Sequence, residues 1–311
     1  MLRVVLWVTL AFTSVSAFLP NAQLKVSGFS SPRFSTSCQQ SGRPGSLRSP
    51  AAGVRMGEEI YDKKNIEHIF AANKKWAQAM TKSDKDYFTK QSGGQYPKYL
   101  WIGCADARVP ANEIVGLQPG EIYVTRNVAN LVVNTDFNMM SVIQFAVEFL
   151  EVEHIIVCGH YKCGGVAAGL DLMDHTSPLE NWIRNIRDTV RLHKDELLAI
   201  KDIAARQRRL VEINVREQCI NLYKTAVVQR RRAFTHVRDG FAYPRIHGVT
   251  YDPADGELKL LQWNAQETLG PLQPVYTIYD PVKDMEGYDG EPYEKRSGTL
   301  FNKPLYNRRP L

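Results

Sequence analysis

His154-Ile155-Ile156-Val157-Cys158-Gly159-His160-Tyr161-Lys162-Cys163-Gly164-Gly165 joins an apolar run to a polar, glycine-flanked turn. Its first five residues form an apolar run short enough for a buried strand, and the glycine that follows ends it. A second run, Lys98 to Gly103 with Tyr-Leu-Trp-Ile at its centre, reads the same way and delivers Cys104 to its carboxyl end. Between the two, Pro110 to Leu117 starts like a helix and Glu121 to Thr125 reads as a strand. Asn138 to Leu150 then carries Met139, Val142, Ile143, Ala146 and Phe149 at helical spacing. Strand and helix in alternation predict an α/β fold, with a central, mostly parallel β-sheet flanked by helices. Ligands in such sheets bind outside the carboxyl ends of the strands, which is a physical reason for Cys104 and the segment Gly159 to Cys163 to meet.

Upstream of the sheet, Ile66, Ile69, Phe70, Trp76 and Met80 recur at helical spacing across Ile60 to Met80, which predicts an amphipathic N-terminal arm that docks on something. Downstream, Leu179 to Ile200 and Arg206 to about Arg232 read as two long helices with apolar stripes. Their basic clusters, Arg206-Gln207-Arg208-Arg209 and Arg230-Arg231-Arg232, read as solvated helix faces and ends. Ile246 to Tyr251 and Glu257 to Trp263 flank Asp255-Gly256, a hairpin signal. Residues 57–264 are the expected catalytic domain, and 265–311 an extension without periodicity, either a wrapping arm or disordered.

Residues 1–17 carry Arg3, an apolar run from Val4 to about Phe12 and a small-residue end, the pattern of a secretory signal peptide. Residues 18–56 are rich in Ser, Gly, Pro and Arg without acids, the pattern of a transit peptide or disordered presequence. The junction Ser16-Ala17-Phe18-Leu19-Pro20 resembles the cleavage motif of bipartite presequences in algae with complex red-lineage plastids. That resemblance implies a plastid stroma or pyrenoid address, against an endomembrane lumen or secretion as the alternative. No mature membrane segment is expected, since the apolar run is too short to span a bilayer.

The net charge of +6 is local: Arg3, Lys25, Arg33, Arg43, Arg48 and Arg55 precede the first acid, Glu58, and account for the whole excess. A nucleic-acid partner therefore loses its main support. The five cysteines, Cys38, Cys104, Cys158, Cys163 and Cys219, are odd in number and widely spread, which argues for reduced or metal-bound thiols rather than staples. Cys158 and Cys219 fall within apolar elements and read as structural.

Cys104, His160 and Cys163 form the candidate zinc set: two thiolates and an imidazole supply three ligands of a tetrahedral site and leave the fourth place open. Two glycines after Cys163 give tight backbone approach there. Asp106 shares a face with Cys104 on an extended segment, and has two possible jobs: a fourth ligand, or an acceptor orienting a zinc-bound water. Arg108 decides between them, because its planar fork can hold the carboxylate away from the metal. The expected product is a zinc hydroxide aimed at a small electrophile.

At these residues the sequence resembles the β-class carbonic anhydrases. The likeness rests on Leu100-Trp-Ile-Gly-Cys-Ala-Asp-Ala-Arg-Val-Pro110, Arg126-Asn-Val-Ala-Asn130 and His154 to Gly165, and runs from about Ile66 to Trp263. It implies reversible hydration of carbon dioxide to bicarbonate and a proton, with one Zn2+ per subunit on Cys104, His160 and Cys163, and Asp106-Arg108 as the catalytic dyad. It also implies a substrate pocket lined by Gln95, Tyr123, Val128, Phe145 and the Gly164 amide. Homodimers formed through N-terminal helical arms, and dimers of those dimers, follow from the same likeness. Trp101, Arg126 and Tyr251 match a group that lines a second, allosteric bicarbonate site in the bacterial-type branch, where Asp106 would ligate zinc at low pH. Ala105 and Ala107 stand where many members have Ser, and Val249 where Trp is common. Carbonyl sulfide or carbon disulfide hydrolysis on the same ligands is an alternative activity, and a silent bicarbonate-binding scaffold is an alternative class that has no need of Asp106 and Arg108.

Overall fold

The computed structural model describes residues 65–262 and 264–279. The presequence, Trp263 and the chain beyond Tyr279 lie outside them, so the expectations for 1–17 and 18–56 and most of the extension fall on residues not described.

The sheet has five strands in the order β2-β1-β3-β4-β5: β1 (Tyr99–Cys104), β2 (Ile122–Asn127), β3 (His154–His160), β4 (Arg245–Tyr251) and β5 (Leu258–Leu260). The first four are mutually parallel, and β5 closes one edge antiparallel to β4. Side chains alternate across the pleat. Leu100, Ile102, Ile155 and Val157 enter one core layer, while Trp101 and Cys158 enter another with Val109 and Ile122. Because both faces are covered, β1 and β3 read as continuous apolar runs rather than alternating ones.

Helices α1 (Glu67–Ser83) and α2 (Tyr87–Ser92) precede the sheet, α3 (Ala111–Val115) follows β1, and α4 (Phe137–Gln144) follows β2. The predicted helix over 138–150 differs at its end: Phe145–Phe149 winds as a π-helical turn, and Glu151 takes a positive φ of 51° before β3. Asp136 starts α4 by accepting a bond from the Asn138 amide at 3.0 Å, and Gly116 ends α3 with a φ of 66° that glycine adopts freely.

After β3 come α5 (Gly164–Ala168), α6 (Leu179–Leu192), α7 (Lys194–Ala199), α8 (Ile203–Lys224) and α9 (Ala226–Asp239). Each of the two long helices predicted here is a pair. His193 breaks the first, and Thr225, in extended conformation, separates α8 from α9. The apolar stripe continues across both breaks, which is why periodicity alone runs them together. Helix α8 buries Leu210, Val211, Ile213, Val215, Cys219, Ile220 and Leu222 and packs on β3 and β4. Close approach requires Gly159 on β3, where a Cβ would lie 2.5 Å from Val215 Cγ2.

Four arginines of the basic clusters are paired with carboxylates rather than merely solvated. Arg208 bonds Asp252 at 3.0 Å, Arg209 bonds Glu196 and Glu212 at 2.6 Å each, Arg230 bonds Glu148, and Arg231 bonds Glu151 at 2.7 Å. The extension also differs from its aperiodic reading: α10 (Ala265–Leu269), a short 3-10 turn and α11 (Gln273–Tyr276) follow β5. Among the described residues no helix is long and apolar enough to cross a membrane.

Candidate metal centre

Parallel register brings the two diagnostic segments together. Gly103 pairs with Cys158 and Asn127 with Cys104, so β1 and β3 end side by side, with His160 the last residue of β3. Beyond His160 the chain turns through Lys162, which adopts a φ of 58°, and returns Cys163 to the same end before α5.

The three side chains converge. Cys104 Sγ and Cys163 Sγ are 3.8 Å apart, and the ligating atoms of Cys104, His160 and Cys163 lie within 4.8 Å of one another, all three residues buried. Two sulfurs each about 2.3 Å from a tetrahedral ion stand about 3.8 Å apart, so this donor set fits zinc. The imidazole adds an independent sign. Its Nδ1–H donates to the Tyr161 carbonyl at 3.1 Å, which fixes the tautomer and leaves Nε2 as a lone pair. That Nε2 is buried without a hydrogen-bond partner, a costly state unless a cation takes it up.

Backbone amides support the sulfurs. The backbone at Asp106 and Ala129 favours the thiolate of Cys104, and that at Gly165 and Val166 the thiolate of Cys163. Ala129 reaches its place through a φ of 66°, and Asn127 braces this turn by bonding the Leu131 amide at 2.7 Å and its carbonyl at 2.8 Å. The contact with Cys163 holds the Cys104 thiol below the ordinary range, and the same contact together with burial pushes the Cys163 thiol up. Cys158 and Cys219 are fully buried and burial pushes both thiols up, in keeping with inert packing roles.

Asp106 stands beside the cluster, with Oδ2 3.8 Å from His160 Nε2. Arg108 holds the carboxylate bidentately at 2.9 and 2.7 Å, and its own amide bonds Oδ1 at 2.9 Å. The guanidinium keeps the Asp106 carboxyl well below the usual carboxylate range. Arg108 is itself steadied by the Lys162 carbonyl at 3.3 Å, which joins the β1 segment to the β3 segment.

The remaining sequence candidates are spread around this end of the sheet. Val128 touches the start of α5, since a Cβ on Gly165 would lie 2.6 Å from Val128 Cγ1. The Tyr123 and Phe145 rings lie 5.9 Å apart against the core layer beneath, Gly164 is exposed at the first turn of α5, and Gln95 is exposed on the loop before β1. Trp101 is fully buried with an unpartnered indole Nε1, and Tyr251 packs in the same cluster. Arg126 donates to the Cys104 carbonyl at 2.8 Å and to the Asp106 carbonyl, so it ties β2 to the site strand.

One support escapes a reading of the sequence. Arg208 on α8 lies over the Tyr161 ring, its Cζ 3.4 Å from the centroid, and bonds Asp252 just past β4. The Tyr161 hydroxyl donates to Glu212 at 3.0 Å, and the Tyr161 amide to the Tyr251 carbonyl at 3.0 Å. The residue between His160 and Lys162 is thus clamped from α8 and β4 together. The only signal for it is an aromatic residue inside the ligand loop, whose partner lies in a basic run.

The carbonic anhydrase family model matches residues 99–258. A carbonic anhydrase of Emericella nidulans is 46% identical over 227 residues, which span 73% of this chain and 94% of that protein. Among solved structures, one from a study of two tetrameric β-carbonic anhydrases of Sordaria macrospora is 34% identical with a TM-score of 0.59, covering 63% of this chain and 96% of that one. The β-carbonic anhydrase of Coccomyxa in complex with acetazolamide is 33% identical with a TM-score of 0.59, covering 71% and 96%. With its parallel sheet and its Cys-His-Cys cluster at the strand ends, the chain belongs to the β-class carbonic anhydrase family, whose reaction is the hydration of carbon dioxide.

Proposed function

We propose that Cys104, His160 and Cys163 hold one zinc ion and that Asp106 and Arg108 form the catalytic dyad of reversible carbon dioxide hydration. The observation that carries this reading is the buried, unpartnered His160 Nε2 beside two sulfurs at a tetrahedral-edge distance and a carboxylate at 3.8 Å. Bound there, zinc supplies the Lewis acidity that makes water a nucleophile near neutral pH.

The chain's own residues do the rest. Asp106 stays ionised beside Arg108, accepts the proton of the attacking water in a hydrogen bond and so fixes its direction of approach. Arg108, held by the Lys162 carbonyl, keeps that carboxylate from swinging onto the ligand atoms. Carbon dioxide is small and apolar, so it needs an apolar wall and one donor for the charge that develops on its oxygen. Val128, Tyr123 and Phe145, with Gln95 and the Gly164 amide as donors, are the proposed lining. Metal analysis with a carbon dioxide hydration assay on the wild type and Cys163→Ala tests the assignment. Zinc and activity should fall together, and zinc retained with activity unchanged in the variant would overturn it.

Assembly and regulation belong to the same proposal. The apolar residues Ile69, Phe70 and Trp76 of α1 are 52, 67 and 45% exposed, which suits a helical arm covered by a second copy in a homodimer or a dimer of dimers. Tetramers, as named for the Sordaria macrospora enzymes, are then expected in sedimentation at micromolar concentration. Trp101, Arg126 and Tyr251 are the proposed second bicarbonate site, supported by the bonds from Arg126 to the Cys104 and Asp106 carbonyls. Hydration rates with and without added bicarbonate test it, and identical rates would remove it. Residues 1–56 are proposed to direct the enzyme to a plastid; a fluorescent protein fused after residue 56 should accumulate there rather than in the secretory lumen.

A further inference from the structure

A cavity of about 380 Å³ lies away from the metal centre, between the α8–α9 corner and the segment 269–279. This is the size of a ligand pocket, and its wall is one-sided in charge. Lys224, Arg232 and His236 line it, and no Asp or Glu does. Arg232 is the unusual member. Its neighbours Arg230, Arg231 and Arg238 all pair with carboxylates, whereas Arg232 bonds only the Ala242 and Pro244 carbonyls, at 3.1 and 2.5 Å, and lies over the Tyr223 ring. It has no carboxylate partner among the described residues. Burial presses its guanidinium below the ordinary arginine range, the mark of a cation lacking a counter-charge.

The chain itself leads to this wall. Gln229 on α9 receives the Ile278 amide at 2.8 Å and donates to the Tyr276 carbonyl at 2.8 Å, which holds the chain against the cavity up to Tyr279, itself a lining residue. The next fifteen residues, Asp280 to Glu294, carry six acids, Asp280, Asp284, Glu286, Asp289, Glu291 and Glu294, against one base, Lys283. Those residues can extend about 50 Å, and α9 is about 20 Å long, so reach does not limit them. Tethering gives such a segment an effective concentration of about millimolar, which favours it over a free small anion of the same charge.

We infer that residues 280–294 dock through their acidic side chains on the basic wall formed by Lys224, Arg232 and His236. Docking supplies the counter-charge that Arg232 lacks. The interaction is electrostatic and partly exposed, so it weakens with salt.

Hydrogen–deuterium exchange on the full chain tests this. The amides of 280–294 should exchange at least tenfold slower than their intrinsic rate at low salt. Protection should vanish in 0.5 M NaCl and in a variant with all six acids changed to Asn or Gln, and should diminish in Arg232→Gln and in Lys224→Gln. The six-acid variant alters no described residue, so it keeps the test readable if Arg232→Gln fails to fold. Intrinsic-rate exchange of 280–294 in the wild type, or protection that survives in the six-acid variant, overturns the inference. Citrate serves as the free small anion. It should slow exchange in α11 of the six-acid variant only, and equal slowing in the wild type would assign the cavity to small anions instead.

Discussion

Both carboxylate oxygens of Asp106 are bonded by Arg108: Nε donates to Oδ1 at 2.9 Å and Nη2 to Oδ2 at 2.7 Å. Two residues apart in the turn just past β1, they form a fork-to-fork contact whose outer member is half exposed and whose inner member faces His160. Such a pair on an open surface is worth little, so its value here lies in aiming the carboxylate.

Arg108→Lys therefore separates aim from charge. The ammonium keeps the positive charge and loses the bidentate geometry. The expected outcome is a fall in kcat/KM of about a hundredfold with zinc content unchanged, in the range for losing one positioned electrostatic contact. Stopped-flow hydration together with metal analysis reads both, and wild-type turnover in the variant would remove Arg108 from the dyad.

The clamp on Tyr161 makes a different prediction. Tyr161→Phe removes the bond to Glu212 at 3.0 Å and keeps the ring under Arg208. Arg208→Ala removes the ring contact and the bond to Asp252. Each change should cost about 1 kcal/mol in urea unfolding. Because Tyr161 lies between His160 and Lys162, the second should also lower zinc affinity. Unaltered zinc release to a chelator in Arg208→Ala would confine the clamp to stability.

How much of this was legible in the sequence follows the range of the interactions. Cys104, Asp106 and Arg108 could be placed because strand geometry relates residues two apart, and His160 with Cys163 because one turn joins them. The sheet was legible because Leu100 to Ile102 and His154 to Cys158 are unbroken apolar runs. Breaks at His193 and Thr225 were not, since a single non-helical residue leaves the apolar stripe intact on either side. Pairing of Arg208 with Tyr161 and of Arg230 with Glu148 depends on how α8 and α9 cross the sheet, which local pattern does not encode.

Gly159 tests the packing of β3 on α8. A Cβ there would stand 2.5 Å from Val215 Cγ2 and 3.2 Å from Val211 Cγ1, so Gly159→Ala forces the helix outward or the valines off their rotamers. The expected cost is about 1–3 kcal/mol. Val215→Ala opens the space that the new methyl needs, so the double variant should be less destabilised than the two single changes added together. Strict additivity in equilibrium unfolding would show that the strand and helix separate freely.

His154 and His247 face each other across β3 and β4, Nδ1 to Nε2 at 3.0 Å, with the His154 ring stacked on Tyr99. One ring N–H donates to the lone pair of the other, an arrangement that requires at least one neutral imidazole. Burial holds both rings below the ordinary histidine range; Arg245 adds to this at both, and Glu153 opposes it at His154. The sign follows. As pH falls, the unfolded chain takes up protons first, near its value of about 6.5, while the folded pair resists, so stability present above that value is lost as pH falls through it toward the folded values. Zinc ligands also lose metal in acid, so the pair must be read by difference. Urea unfolding at pH 7.5 and 5.5 should show the wild type losing more stability than a variant carrying His154→Gln and His247→Gln, with zinc content matched. Equal losses in the two proteins would mean that the imidazole pair is open to water and adds nothing to the pH dependence.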